Sequence, residues 1–177
     1  MAASPSVSVI IPTYNRQDML RETLDSLAQQ SFPNEEFEVI IVDDGSTDGT
    51  PAIAAEAFPF TLRYFWQINQ GDAAARNLGA RHASADILVF LDDDILAEAG
   101  YLTDLILTLD KGQNRIVIGT CNLGLEEANA SRKSLSSSPP LDNMQTVIEL
   151  PFTEIYSHNM CLRREAYFRI GMMQGLG

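Results

Sequence analysis

Four mostly apolar runs punctuate the first half of the chain: Val7 to Ile11, Phe37 to Val42, Leu62 to Trp66 and Ile87 to Leu91. Each is short and rich in β-branched or aromatic residues, the pattern of a buried strand. Between them the rhythm changes. From Gln17 to Gln30, Met19, Leu20, Leu24, Leu27 and Ala28 recur at helical spacing, and Ser31-Phe32-Pro33-Asn34 breaks the pattern. Thr50 can cap a helix that opens with Pro51 and runs to about Ala57. Asp72 to Ala83 reads as a helix whose small residues Ala73, Ala74, Ala75 and Gly79, with Gly71 just before it, permit close approach to a neighbour. The resulting βαβαβαβ order predicts an α/β fold: a mostly parallel, Rossmann-like sheet flanked by helices on both faces.

Beyond the fourth run the pattern thins. Glu98 to Leu109 reads as a helix, Arg115 to Gly119 as a strand, Thr146 to Leu150 as a returning strand, His158 to Leu162 as a short strand and Arg164 to Ile170 as a helix. Residues 124–146 are rich in Ser, Pro, Asn and Glu without periodicity, which predicts a long functional or flexible loop. No internal repeat is visible, and 177 residues suit one domain, 1–177.

Composition narrows the partners. Apolar residues make up 45% and charged residues 20%, an ordinary globular balance. A net charge of −12 argues against a nucleic-acid partner and requires an anionic ligand to be offset locally. No apolar run approaches the roughly 20 residues of a membrane span. Met1 to Ser8 lacks the character of a signal peptide, and Cys121 and Cys161 lack metal spacing, so a cytoplasmic setting is expected.

Candidate chemistry collects at strand ends. Ile87-Leu88-Val89-Phe90-Leu91 runs into Asp92-Asp93-Asp94, and alternation predicts Asp92 and Asp94 on one face with Asp93 on the other. Neighbouring carboxylates must take a proton or share a cation, and hard oxygen ligands suit Mg²⁺ or Mn²⁺ carrying a phosphate. The second strand ends in Asp43-Asp44, where a carboxylate can accept hydrogen bonds from a base or ribose. Arg76 reads either as a phosphate partner or as a surface ion pair with Asp72. Asn159 fits a substrate contact or a strand-edge hydrogen bond. Three functions fit: a haloacid-type phosphatase using Asp92 and Asp94, a non-catalytic nucleotide-binding module, and a metal-dependent glycosyltransferase.

The order of the motifs discriminates among them. Val7-Ser8-Val9-Ile10-Ile11-Pro12-Thr13-Tyr14-Asn15-Arg16, Val42-Asp43-Asp44-Gly45-Ser46-Thr47-Asp48, Asn69-Gln70-Gly71 with Ala75-Arg76-Asn77-Leu78-Gly79, and Phe90-Leu91-Asp92-Asp93-Asp94 together resemble the family-two glycosyltransferases. Asn159-Met160 through Arg163-Arg164-Glu165-Ala166 resembles a later segment of that family. The resemblance runs from about Val7 to Gly171. It implies a GT-A fold, a nucleotide-sugar donor, usually a UDP-sugar, Mn²⁺ or Mg²⁺ as cofactor, and an inverting transfer. It also implies a nucleotide pocket of Pro12, Thr13, Tyr14, Asn15, Asp43, Asp44, Arg76, Asn77, Asp92 and Asp93. Within that set Asp44 would bind the base, and Asp92 and Asp94 would bind ribose and metal-diphosphate, Asp94 as the direct metal ligand.

The acidic segment that carries the family's base usually follows the position matching Gly171, whereas this sequence stops at Gly177. A truncated chain is therefore expected, with the base beyond Gly177 and the acceptor, saccharide, lipid-linked or protein, undefined. Glu149, Glu154 and Glu165 are the first substitutes to consider. Uncovered apolar surface around Met172 and Met173 would favour self-association, and a full-length protein could sit at the inner face of a membrane.

Overall fold

Strand β1 (Val7–Thr13) is buried along its whole length and occupies the middle of the sheet. The computed structural model describes residues 4–111, 116–118, 133–135 (backbone only) and 159–173. The expected strand Thr146 to Leu150, Cys121, Glu149 and Glu154 lie outside those residues, as does the expected loop 124–146 except for 133–135, which form a short strand.

On one edge β1 pairs in parallel with β2 (Phe37–Asp43), which pairs in parallel with β3 (Thr61–Trp66). On its other edge it pairs in parallel with β4 (Ile87–Leu91). Val9 thus lies between Val39 and Val89, a row of β-branched residues suited to a sheet buried on both faces. The chain winds outward from β1 to β3 and then returns across β1 to start β4. This reversal opens a crevice between the carboxyl ends of β1 and β4.

The parallel order stops at β4. A late strand, β8 (Asn159–Arg163), pairs antiparallel with β4 and with β6 (Ile116–Ile118), giving the order β3-β2-β1-β4-β8-β6. The expected α/β sheet is therefore present as a mixed, mostly parallel one. A separate two-stranded sheet joins β5 (Ile95–Ala97) to β7 (Lys133–Leu135).

One face of the main sheet packs on α1 (Gln17–Leu27) and α3 (Tyr101–Asp110) through Leu20, Leu24, Leu27, Leu102, Leu105 and Leu109. The other packs on α2 (Asp72–His82) and α4 (Arg164–Arg169) through Ala75, Ala80 and Tyr167. Helix α2 sits close: a Cβ on Gly79 would lie 2.4 Å from Ile10 Cγ2.

Several boundaries differ from the sequence reading by one to three residues, and three differences have a visible local cause. Pro12 does not end β1. Its register partner is Val42, and Thr13 O accepts from Asp44 N–H, so alternation turns the Pro12 nitrogen toward β4, where pairing has already stopped at Ile10 and Phe90. Helix α1 ends at Leu27 rather than Gln30, because the Gln30 amide leaves the helix to donate to Glu98 O and accept from Leu102 N–H. The helix expected after Thr50 is a 3₁₀ segment, Thr50–Ala55, and the side chain serving its first turn is Asp48, which accepts from Thr50 N–H. Pro59 disfavours helical backbone at Phe58, which leaves little room for a longer element.

Candidate functional site

Three strand ends, those of β1, β2 and β4, meet along one edge of the sheet. At β4 the ladder finishes at Leu91 and the acidic triplet enters a turn. Asp92 follows the strand's alternation onto the α2 face, where Arg76 Nη2 donates to it at 2.6 Å. Arg76 is only 2% exposed and also lies 3.4 Å from Asp72, so it bridges the two carboxylates instead of forming a surface pair. Its small neighbours on α2 let the backbone come near enough to the sheet for the guanidinium to be buried there.

Asp93 takes the α1 face. Its Oδ2 accepts from the Thr13 hydroxyl at 2.7 Å, its Oδ1 from Arg16 Nη1 at 3.0 Å, and its carbonyl from the Thr23 hydroxyl at 2.9 Å. Burial pushes its carboxyl up to about 6, and the Thr13 and Arg16 hydrogen bonds offset only part of that.

Asp94 departs from expectation. It does not share the Asp92 face: its Oδ2 turns to Arg16 Nη1 at 3.5 Å, because the extended backbone that enforces alternation ended at Leu91. Its other oxygen, Oδ1, is buried without a hydrogen-bond partner among the described residues. A buried carboxylate oxygen with no donor suits a hard cation. Among the described residues no three His, Cys, Asp or Glu side chains form a ready-made metal cage. Such a site fits Mg²⁺ or Mn²⁺ held by one or two carboxylates and completed by phosphate oxygens and water.

At the end of β2 the two aspartates divide their work. Asp43, expected in the nucleotide pocket, is fully buried and closes its own loop, accepting from Ser46 N–H at 2.7 Å and from the Tyr64 hydroxyl. Burial, with Asp43 alongside, pushes the Tyr64 hydroxyl pKa well up. Asp44 organises the segment after β3: Gln67 Nε2 and Gln70 N–H donate to Oδ1 at 2.6 and 2.9 Å, and Gly71 N–H donates to Oδ2 at 2.8 Å. Gly71, at φ 85°, supplies the left-handed turn that aims its amide and opens α2.

The remaining expected residues separate into two groups. Thr13 and Tyr14 stand at the crevice, Thr13 bonded to Asp93 and Tyr14 with its ring exposed. Pro12 is part of the β1 ladder. Asn15, with φ 53°, ties the β1 and β2 loops together: its Oδ1 accepts from Thr47 N–H at 2.7 Å and its N–H donates to Ser46 Oγ at 2.8 Å. Asn77, also expected in the pocket, instead binds the chain after α4. Its Nδ2 donates to Met173 O at 2.7 Å, and its Oδ1 accepts from the Tyr167 hydroxyl at 2.6 Å. Asn159 is buried and accepts from the Tyr101 hydroxyl, a structural contact in register with Leu91. Glu165 lies exposed on α4, paired with Arg169.

Sequence reasoning passed over Arg16, Thr23 and Gln67. Arg16 lies within a recognised motif, but only the fold brings it to the acidic turn.

A family model described as "Glycosyl transferase family 2" matches residues 8–171. Validoxylamine A glucosyltransferase of Streptomyces hygroscopicus subsp. limoneus is 40% identical over 121 residues, which are 66% of this chain and 27% of that protein. Staphylococcus aureus TarS in complex with UDP superposes with a TM-score of 0.71 at 26% identity, covering 93% of this chain and 48% of that one. The mannosyltransferase PcManGT of Pyrobaculum calidifontis, in complex with GDP-Man and Mn²⁺, gives 0.64 at 25% identity over 97% of this chain and 48% of that one. The chain thus spans about a quarter to a half of the length of these relatives.

Proposed function

Because this chain belongs to glycosyl transferase family 2, we propose that it binds a nucleoside-diphosphate sugar, with UDP as nucleotide, and serves its transfer to an acceptor hydroxyl with inversion. The observation that carries this reading is the unpartnered Asp94 Oδ1 at the β1–β4 crevice, one sheet edge with the Asp44 loop. Solved relatives of similar fold hold UDP in one case and GDP-Man with Mn²⁺ in another.

In this reading Asp94, assisted by Asp92, would hold Mn²⁺ or Mg²⁺. Such an ion stabilises negative charge on a leaving diphosphate. The chain's own residues then do the rest. Asp44 offers its remaining acceptor capacity on Oδ2 to a base N–H, while its bonds to Gln67, Gln70 and Gly71 fix its direction. Arg76 holds Asp92, and Thr13 and Thr23 hold the Asp93 side of the turn, so the carboxylates are oriented before ligand arrives. In the transfer the acceptor oxygen bonds to the anomeric carbon as the bond from that carbon to the diphosphate breaks, and a carboxylate takes the hydroxyl proton.

Calorimetry with UDP, GDP, dTDP and CDP, each with and without Mn²⁺, tests the reading. Binding that is strongest for UDP and depends on Mn²⁺ is expected. Absence of binding by any nucleotide in either condition would overturn it.

A further inference from the structure

Among the described residues, Arg16 touches two members of the acidic triplet, with Nη1 3.0 Å from Asp93 Oδ1 and 3.5 Å from Asp94 Oδ2. Its side chain is 49% exposed, so it enters from the solvent mouth of the crevice rather than from the core. Arg76 holds the far end of the triplet at Asp92 and is buried. Among the described residues, three carboxylates thus face two guanidiniums, one fixed and one at the surface.

We infer that Arg16 is a resident counter-cation that occupies Asp94 in the absence of ligand and passes to the donor's diphosphate when a divalent cation takes its place, which makes cation and nucleotide bind together. The inference rests on the metal-and-nucleotide reading above. Its physical basis is the balance of charge at close range. Two charges a few ångströms apart near a surface interact appreciably, and a divalent ion beside Asp94 would sit close to the Arg16 guanidinium. Without an anion present, the incoming cation must displace Arg16 or endure its repulsion. A diphosphate removes that conflict, because it supplies oxygens to both the cation and the planar donor fork of arginine. Each ligand therefore raises the affinity of the other by the same factor. Asp93 keeps the Thr13 and Thr23 hydroxyls, and with them its hold on Arg16, when Arg16 turns from Asp94, so the turn itself need not rearrange.

The geometry favours this role over a purely structural one. A structural arginine would be enclosed like Arg76. Arg16 instead has a buried partner in Asp93, a second partner at the longer distance of 3.5 Å, and a path to solvent. Asp93 anchors it, and Asp94 is the contact that can be exchanged.

The test measures Mn²⁺ binding by electron paramagnetic resonance, with and without UDP, in the wild type and in Arg16→Gln, Arg16→Lys and Asp94→Ala. In Arg16→Gln, Mn²⁺ alone should bind about fivefold more tightly, because a repelling charge is gone. UDP in the presence of Mn²⁺ should bind about fivefold more weakly while UDP alone binds as before, so the mutual enhancement of the two ligands shrinks by about fivefold. Arg16→Lys, which keeps the charge, should retain most of the enhancement. Asp94-dependent Mn²⁺ binding that is unchanged or weakened in Arg16→Gln would overturn the role of Arg16 and leave the metal reading standing. Equal behaviour of the Gln and Lys variants would overturn it too. Mn²⁺ binding that is absent from every protein, or indifferent to Asp94→Ala, would remove the metal reading and this inference together.

Discussion

Asn77 brackets the backbone of Met173: its Nδ2 donates to Met173 O at 2.7 Å and its Oδ1 accepts Met173 N–H at 3.1 Å. One helix side chain thereby pairs both groups of a residue beyond α4, as a neighbouring strand would. Asn77→Asp should keep the accepting half and lose the donating half. Nucleotide affinity should then stay within about twofold, while amide exchange at Met173 accelerates by about tenfold, the equivalent of one lost hydrogen bond. Hydrogen exchange and calorimetry on the same protein check this. A large loss of nucleotide affinity with unchanged exchange would return Asn77 to the pocket.

Asp94→Ala should abolish the Mn²⁺ dependence of UDP binding without unfolding the chain, since the Asp94 side chain contributes one long ion-pair contact. Titration of UDP with and without Mn²⁺, alongside circular dichroism, is the measurement. Undiminished Mn²⁺ enhancement would exclude Asp94 as the metal ligand.

Asp44→Ala should weaken UDP by about 1–3 kcal/mol while its Mn²⁺ dependence persists. The variant also strips acceptors from Gln67, Gln70 and Gly71, so proteolysis at the 67–71 turn should rise in parallel. Lost metal response with unchanged nucleotide affinity would mean that the two acidic loops have exchanged roles.

Much of this arrangement is legible in the sequence, for identifiable reasons. The four apolar runs dictate β1 to β4 because a strand buried on both faces needs a nearly continuous apolar segment. The positions of the Asp43-Asp44 pair and of Asp92 follow at once, since each begins directly after such a run. What the sequence hides are polar residues whose partners are remote. Gln30 reads as the polar end of a helix until α3 supplies Leu102 N–H. Glu38 interrupts an apolar run with no partner visible nearby in the sequence, yet Ser8, Ser84 and Arg63 enclose it. Asp94 was misplaced for a different reason: alternation is a property of extended backbone, and the backbone turns at Asp93 and Asp94.

Glu38 also gives a pH dependence. Burial alone would raise its carboxyl pKa, but hydrogen bonds from Ser84 N–H, the Ser8 hydroxyl and Arg63 prevail and hold it below the ordinary 4.5. A carboxyl pKa lowered on folding contributes stability above 4.5 that is lost as pH falls through the folded-state value. Glu38→Gln should therefore cost about 2 kcal/mol at neutral pH, a gap that narrows below pH 4.5. Urea unfolding of both proteins from pH 7 to pH 3 reads this out. A gap independent of pH would show that the charge on Glu38 is not involved.

Gly79→Ala should destabilise by about 1–3 kcal/mol, since the added methyl must push against Ile10 in a strand buried along its whole length. Nucleotide affinity should fall with it, because α2 carries Arg76 to Asp92. An unfolding midpoint equal to the wild type would mean that α2 slides freely on the sheet.

The antiparallel insertion of β8 has a consequence for biosynthesis. Until Asn159–Arg163 leaves the ribosome, the edge of β4 away from β1, Ile-Leu-Val-Phe-Leu, lacks the strand that pairs with it among the described residues. Ribosomes add about 5–20 residues per second, so the intervening stretch leaves that edge bare for a time on the order of seconds. An unpaired apolar edge of this kind can pair with a second copy of the chain, so the strand that later carries the acidic turn is a surface for a chaperone to cover during synthesis.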